Sequence, residues 1–276
     1  MRLSPHMTVM QNAAQKAAKR LLRDFAEVEQ LQVSIKGPGD FVSQADLRAE
    51  QTIREELARA RPGYAFLMEE SGNSGGENWT WRWIVDPLDG TSNFLHGIPQ
   101  WAISIALQRR HPDGSTEIAA AMVYNPAANE MFWAEKGIGA FLNERRIRVS
   151  ARRDLSESLI ATGIPFAKTP ADRRLPFGRT LAALMPHVAG FRRFGAAALD
   201  LAWVAAGRYE AFWEIGLKPW DCAAGLLIVR EAGGYVTDPE GLEITDLDND
   251  VTLVAGNGHL HGPIRKIVLD ALTRKA

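Results

Sequence analysis

Asp86-Pro87-Leu88-Asp89-Gly90-Thr91-Ser92-Asn93-Phe94, preceded by the apolar run Trp83-Ile84-Val85, sets two carboxylates three positions apart directly ahead of backbone donors. The apolar run reads as a buried strand with Asp86 at its end. Pro87 stiffens the exit, and Gly90 lets the chain turn so that its N–H and that of Thr91 can face a ligand oxygen. A hard divalent cation such as Mg²⁺ prefers oxygen ligands and commonly shares them with a substrate phosphate, and this pairing of acid and amide would serve both. Either acid alone has a plainer explanation, since Asp-Gly is a hairpin signal and an Asp near a helix start is often only a cap.

Around this block the chain has the composition of a folded protein. Its 276 residues are enough for one large domain or two packed ones, and 46% hydrophobic content supports a sizeable core. A formal charge of −1 excludes whole-molecule steering toward nucleic acid or anionic lipid, so a charged partner must be met by a local patch. Cys222 is the single cysteine and cannot form an internal disulfide, and Met1 to Met10 lacks a signal-like apolar stretch; a cytoplasmic location is expected. No window approaches eighteen uninterrupted apolar residues, which argues against a spanning helix.

From Thr8 to Glu29, Met10, Ala14, Ala17, Leu21, Leu22, Phe25 and Val28 recur at helical spacing, with basic residues between them. Lys36-Gly37-Pro38-Gly39-Asp40 reads as a flexible loop, and Ala45, Ala49, Ile53 and Leu57 predict a second helix ending near Arg61-Pro62-Gly63. Two helices are thus expected before the first strand. Strand-like runs follow at Tyr64 to Met68, Trp83 to Val85, Ala102 to Leu107, Ile118 to Val123, Met131 to Trp133 and Gly139 to Leu142, which suggests one antiparallel-rich sheet. Beyond Val149, helical patterns near Leu181 to Val188, Ala197 to Ala206, Cys222 to Ala232 and Pro263 to Leu272 alternate with short strands around Leu159, Ala211 and Val251 to Val254. We therefore expect an N-terminal α+β domain over 1–148 and a C-terminal α/β domain with a mixed sheet over 149–276.

Two further acidic elements accompany the central block. Glu69-Glu70-Ser71-Gly72 closes the Tyr64 to Met68 run; because successive strand side chains point to opposite faces, the two glutamates should have unequal roles. Trp220-Asp221-Cys222-Ala223-Ala224-Gly225 opens a tightly packed helix, where a cap would be the default role for Asp221. Spacing alone does not bring Asp221 to Asp86.

The Glu-Glu pair, the Asp-Pro-x-Asp-Gly-Thr block and the Trp-Asp-x-Ala-Ala-Gly element occur here in an order that resembles the inositol monophosphatase family, and the likeness covers most of the chain, including Glu231-Ala232-Gly233-Gly234. The resemblance implies a layered αβαβα sandwich of the inositol monophosphatase / fructose-1,6-bisphosphatase type with its active site between the two domains. It implies Mg²⁺-dependent hydrolysis of a phosphate monoester, most readily myo-inositol 1-monophosphate, by a homodimer. On the matching positions, Glu69, Asp86 and the Leu88 carbonyl would hold one Mg²⁺, and Asp86, Asp89 and Asp221 a second. A third, weaker ion would share Glu69 and respond to the loop at Lys36. Glu69 and Thr91, assisted by Asp46, would position and deprotonate the attacking water, and the amides of Gly90 and Thr91 would hold phosphate. Asp89, Thr162, Gly195, Ala196 and Glu214 would meet the polyol. Met68 and Ser92 depart from the family pattern, where glycine and threonine are common, without removing a ligand.

Other signals are weaker. Gly72-Asn73-Ser74-Gly75-Gly76 fits a nucleophile-elbow pattern but lacks the strand and helix it needs, and reads as a mobile surface loop. His259 and His261 lack further zinc ligands at the right spacing and are expected on the surface, and Gly137-Ile138-Gly139 reads as a turn. An added RNA or transcription-machinery role is the alternative class, with Arg145-Arg146-Ile147-Arg148, Arg152 and Arg153 for charge and Trp79, Trp81 and Trp83 for stacking. Within the phosphatase reading the other esters to weigh are a 3′,5′-bisphosphate nucleotide, fructose 1,6-bisphosphate and histidinol phosphate.

Overall fold

The computed structural model describes residues 3–27, 33–37, 40–165 and 171–274, with the side chains of 33–37, 40–43 and 171–173 left out. The first helix, α1 (Pro5–Ala26), starts where the Ser4 hydroxyl caps the Met7 amide at 3.2 Å, and it buries Met7, Met10, Ala14, Ala17 and Leu21 along one stripe. A hairpin, β1 (Val33–Gly37) and β2 (Asp40–Ser43), follows where only a loop was expected, so two helices do not in fact precede the first strand. Its strands are short and flank Pro38 and Gly39, which lie outside the described residues; turn residues dominate a four- or five-residue window. Helix α2 (Gln44–Ala60) matches the expected apolar period, with Ala45, Ala49, Ile53 and Leu57 all buried.

The large sheet is built from β3 (Ala65–Met68), β4 (Gly72–Ser74), β5 (Trp81–Asp89), β6 (Ala102–Arg110), β7 (Thr116–Asn125), β8 (Glu130–Glu135), β9 (Gly139–Leu142) and β10 (Arg145–Arg146), with a short helix α3 (Thr91–Leu95) after β5. Its spatial order is β10-β9-β8-β7-β6-β5-β3-β4, and every pairing is antiparallel except β3 with β5. Gly72 to Ser74, expected in a mobile loop, is the edge strand of this sheet. It is too short and too rich in turn-forming residues to announce itself. Gly137 and Ile138 do form a turn.

A smaller mixed sheet comprises β11 (Leu159–Thr162), β12 (Gly190–Arg192), β13 (Ala211–Leu217), β14 (Tyr235–Thr237) and β15 (Val251–Gly256), in the order β12-β11-β13-β15-β14. Helices α4 (Ala171–Leu184), α5 (Ala197–Ala205), α6 (Pro219–Glu231) and α7 (His261–Thr273) accompany it. Helix α4 begins about ten residues before the expected Leu181 and gives way to a 3-10 turn at Met185–His187, where Pro186 interrupts the pattern.

Period-two alternation along the strands assigns each face. On β6, Ile103, Ile105 and Leu107 pack with α1 and α2, while Ala102 and Ala106 face α5 and α6. On β13, Phe212 faces α5 and α6, whereas Ala211 and Trp213 join Leu184 of α4 and Ile264 and Val268 of α7. The layers therefore run α1/α2, large sheet, α5/α6, small sheet, α4/α7. Small residues make this stacking possible: a Cβ on Gly225 of α6 would lie 2.5 Å from Leu201 of α5.

Candidate active site

The three acidic elements meet at one end of the large sheet, and strand pairing explains how. β3 and β5 run parallel with Met68 opposite Val85, so both strands end at the same edge and Glu69 follows beside Asp86. The Glu69 amide donates to the Val85 carbonyl at 3.2 Å, extending that register by one residue. Leu67 faces the α5/α6 layer and Met68 the α1/α2 layer, so alternation sends Glu69 inward and Glu70 toward α2. The Glu70 amide indeed donates to the Glu50 carboxylate of α2 at 2.8 Å.

Asp86 and Asp89 would point to opposite faces of a regular strand, because three positions separate them. A bulge corrects this: Asp86 pairs with Ser104 and Asp89 with Ala102, so β5 carries one extra residue over that step. Their partners are two apart on β6, which places both carboxylates on the face toward α5 and α6, while Leu88 turns into the α1/α2 layer. The Leu88 amide donates to Asp86 Oδ1 at 2.9 Å and fixes the bulge. Beyond Asp89, Gly90 has φ +90° and a Cβ there would lie 2.8 Å from the Gln100 carbonyl, so only glycine fits.

Asp89 reaches across to the second half of the chain. Its Oδ2 accepts the Ala198 amide at 2.8 Å, supplying an acceptor to the start of α5, whose N-cap residue Ala196 has no capping side chain. Asn93 reinforces the join by donating to the carbonyls of Gln100 at 2.7 Å and Phe194 at 2.5 Å. Asp221 lies in the first turn of α6 and accepts the Lys218 amide at 2.8 Å; the expected cap is present, and the same side chain lines the common cleft. Asp46, fully buried in the first turn of α2, lies with Oδ2 3.1 Å from the Thr91 hydroxyl, which also lies 2.9 Å from the Leu88 carbonyl. One carboxylate oxygen from each of Asp46, Glu69 and Glu70 falls within 4.8 Å of the other two.

The cleft has a volume of about 590 Å³ and is lined by Glu69, Asp86, Asp89, Gly90, Thr91 and, from the other half, Gly195, Ala196, Glu214 and Asp221. The structure thus brings together all the expected site residues of the two halves except Thr162. On β11, Ile160 faces α4 and α7 and Ala161 faces inward, so alternation turns Thr162 outward again; it is buried, and its hydroxyl donates to the Gly163 carbonyl at 3.2 Å. Gly163 lines the cleft instead, and a Cβ on it would lie 1.8 Å from Glu214 Oε1, so its bare backbone is what makes room for that carboxylate. Phe166 and the side chain of Lys36 lie outside the described residues.

Burial and crowding of like charges dominate the electrostatics. Burial raises Asp86 well above the usual carboxylate range, and Glu69, Asp89, Asp221 and Asp46 push the same way. Burial pushes Asp89 up to about 8, opposed by the Ala198 amide, and pushes Asp221 up to about 7 with repulsion from Asp89. Glu214 rises to about 8 through burial and the nearby Asp221, with Arg193 acting against it. So many buried carboxylates require protons or cations, and an all-oxygen donor set of acids fits a hard divalent ion. Glu70, Arg193 and Asp200 also belong to this region, although the sequence motifs did not single them out as site residues. For Asp200 a signal was present, as the one charged residue in the apolar helix Ala197–Ala205.

The other sequence signals resolve simply. His261 is buried, contrary to expectation, 3.2 Å from the Thr237 hydroxyl, and burial holds its pKa below the usual value; the packing of α7 on β15 and β14 encloses it. Cys222 is buried and free. Trp79 and Trp83 are buried, with Arg82 and Arg110 against the Trp79 ring, so these rings offer no open stacking face. Among the described residues no helix is long and apolar enough to cross a membrane.

Layered α+β architecture with an acidic cleft between two sheets defines a class of metal-dependent phosphatase scaffolds. The model of the inositol monophosphatase family matches residues 3–272. The chain belongs to that family. It is 53% identical over 260 residues to inositol-1-monophosphatase of Caulobacter vibrioides, covering 92% of this chain and 97% of that one. It is 42% identical to Nus factor SuhB of Escherichia coli, covering 92% of each. A crystal structure of extragenic suppressor protein suhB from Bartonella henselae superposes with a TM-score of 0.88 at 51% identity, covering 99% of this chain and 100% of that chain.

Proposed function

We propose that the chain hydrolyses a monophosphorylated polyol, with myo-inositol 1-monophosphate as the leading substrate, using Mg²⁺ held by Glu69, Asp86, Asp89, Asp221 and the Leu88 carbonyl. The observation that carries this reading is the convergence of buried carboxylates from residues 1–148 and 149–276 on one cleft, among them Asp86, Asp89 and Asp221. The domain division at 148/149 and an active site between the parts follow from the same placement. Two ions, with a third sharing Glu69 beside Asp46 and Glu70, suit the number of acids. Ions bound there supply Lewis acidity and offset the negative charge of the phosphoryl group.

The chain's own groups then divide the work. Thr91 donates its hydroxyl proton to Asp46 or the Leu88 carbonyl, which leaves its oxygen lone pairs as acceptors for the attacking water. Glu69 is the base within the same cluster. The amides of Gly90 and Thr91, at the start of α3, hold phosphoryl oxygens. Asp89 commits one oxygen to Ala198 and keeps the other for ion and substrate. Gly195, with φ +77°, and Ala196 allow close backbone approach, and Glu214 accepts from ring hydroxyls. A homodimer in the cytoplasm remains part of the proposal from the family resemblance.

A phosphate-release panel with Mg²⁺ tests the reading across inositol 1-phosphate, a 3′,5′-bisphosphate nucleotide, fructose 1,6-bisphosphate and histidinol phosphate. Asp221→Asn should lose at least ~100-fold in turnover while keeping its cap to the Lys218 amide, and so its melting point. Unchanged turnover in that variant would overturn the metal site. The alternative RNA role has exposed Arg145 and Arg146 in its favour, but the buried Trp79 and Trp83 favour the phosphatase.

A further inference from the structure

Asp200 takes no part in the chemistry described so far. It stands on α5 in a run, Ala197-Ala198-Leu199-Asp200-Leu201-Ala202-Trp203-Val204-Ala205, that is otherwise apolar. The residue is 2% exposed, yet it forms part of the cleft wall next to Glu214 and Ala197, and its Oδ1 is buried without a hydrogen-bond partner. A buried, unpaired carboxylate oxygen is costly, and leucine or alanine would complete the helix at no such cost. The charges that act on Asp200 locate it: Glu214 and Asp89 repel it, and Arg193 attracts it. It therefore lies at the polyol end of the cleft, where Glu214 and Asp89 are also found.

We propose that Asp200 is a specificity-determining residue whose free oxygen accepts a substrate hydroxyl, so that the site selects esters presenting separate hydroxyl donors to Glu214 and Asp200. The inference rests on the polyol-phosphatase reading above. Glu214 alone would satisfy one donor; a second acceptor on the neighbouring helix sets the spacing and number of hydroxyls the site rewards. Esters without hydroxyls offer that oxygen no donor and gain nothing from it. A hydroxyl lost from the substrate should therefore matter more than a change of bulk.

The experiment compares inositol 1-phosphate with phenyl phosphate, which has no hydroxyl, in saturating Mg²⁺. Asp200→Leu should raise KM for inositol 1-phosphate by about tenfold or more, with kcat changed less, and should leave kcat/KM for phenyl phosphate within about twofold. Asp200→Asn keeps an acceptor oxygen and should recover part of the loss. If the leucine variant fails to fold, Asp200→Ala makes the same comparison. Equal losses on both esters, no change on either, or no recovery with asparagine overturns the assignment. Should the wild type itself turn over phenyl phosphate but none of the polyol esters, the substrate reading fails, and the assignment with it; where the wild type prefers inositol 1-phosphate, the variants test Asp200 alone.

Discussion

Gly163 shows how much of the site depends on an atom that is missing. Its Cα sits against the Glu214 carboxylate, and a Cβ would fall 1.8 Å from Oε1 and 2.1 Å from Cδ. The Glu214 side chain is flexible, so Gly163→Ala should displace it and leave the fold in place. We expect stability within about 1 kcal/mol of wild type and KM for inositol 1-phosphate raised about tenfold. Steady-state kinetics alongside a thermal melt measures both; an unchanged KM would remove Glu214 from polyol contact. Residue-scale legibility was uneven for similar reasons. Asp86, Asp89, Glu69 and Asp221 stood out because acids cluster in short motifs, but Thr162 was misplaced because its facing depends on where β11 starts its alternation. Glu70 was visible as one of a pair, whereas its place near Asp46 follows only from the packing of α2 on the sheet edge.

At the scale of elements, long apolar periods were readable and short edges were not. Helix α1 and strands β6 and β7 carry enough residues to fix a period, and the observed ranges enclose or closely track the expected ones. Strands β1, β2, β4, β10, β12 and β14 have two to five residues each and owe their form to neighbours. The bulge between Asp86 and Asp89 left no distinct trace, since Pro87-Leu88 fits a strand end equally well. Helix α6 is the element on which the layers depend, because it lies between the large sheet and α5 and delivers Asp221. Gly225→Val should force α6 from Leu201, whose Cβ and Cδ1 both lie 2.5 Å from the position a Cβ would take. Overpacking of this kind costs roughly 1–3 kcal/mol, and valine brings no large helix-propensity gain. A melting point lowered by about 4–8 °C is expected; an unchanged one would mean that α5 and α6 can separate freely.

For the whole molecule, the cleft trades stability for ligand binding. In the metal-free protein Asp89 and Glu214 titrate at about 8 and Asp221 at about 7, all raised by burial, against roughly 4 when unfolded. Between about pH 4 and 8 the folded state therefore binds more protons than the unfolded one, and its stability falls as pH rises through that window. Mg²⁺ competes with those protons and binds better as they leave, so it should stabilise most at the upper end. Melting the metal-stripped protein from about pH 5 to 8 should give a falling midpoint, and saturating Mg²⁺ should flatten or reverse the slope. Parallel slopes with and without the ion would place it elsewhere.

The extra residue in β5 gives the sheet something like a reading frame. Asp86 and Asp89 share a face only because one position between them is left out of the count against β6. Shortening that step by one residue would restore an even ladder and turn the chain from Asp89 onward by half a pleat, exchanging acid for apolar neighbour across the sheet. Substitutions can retune the acids singly, but length here admits no drift: the distance in sequence between the two aspartates is itself part of the chemistry.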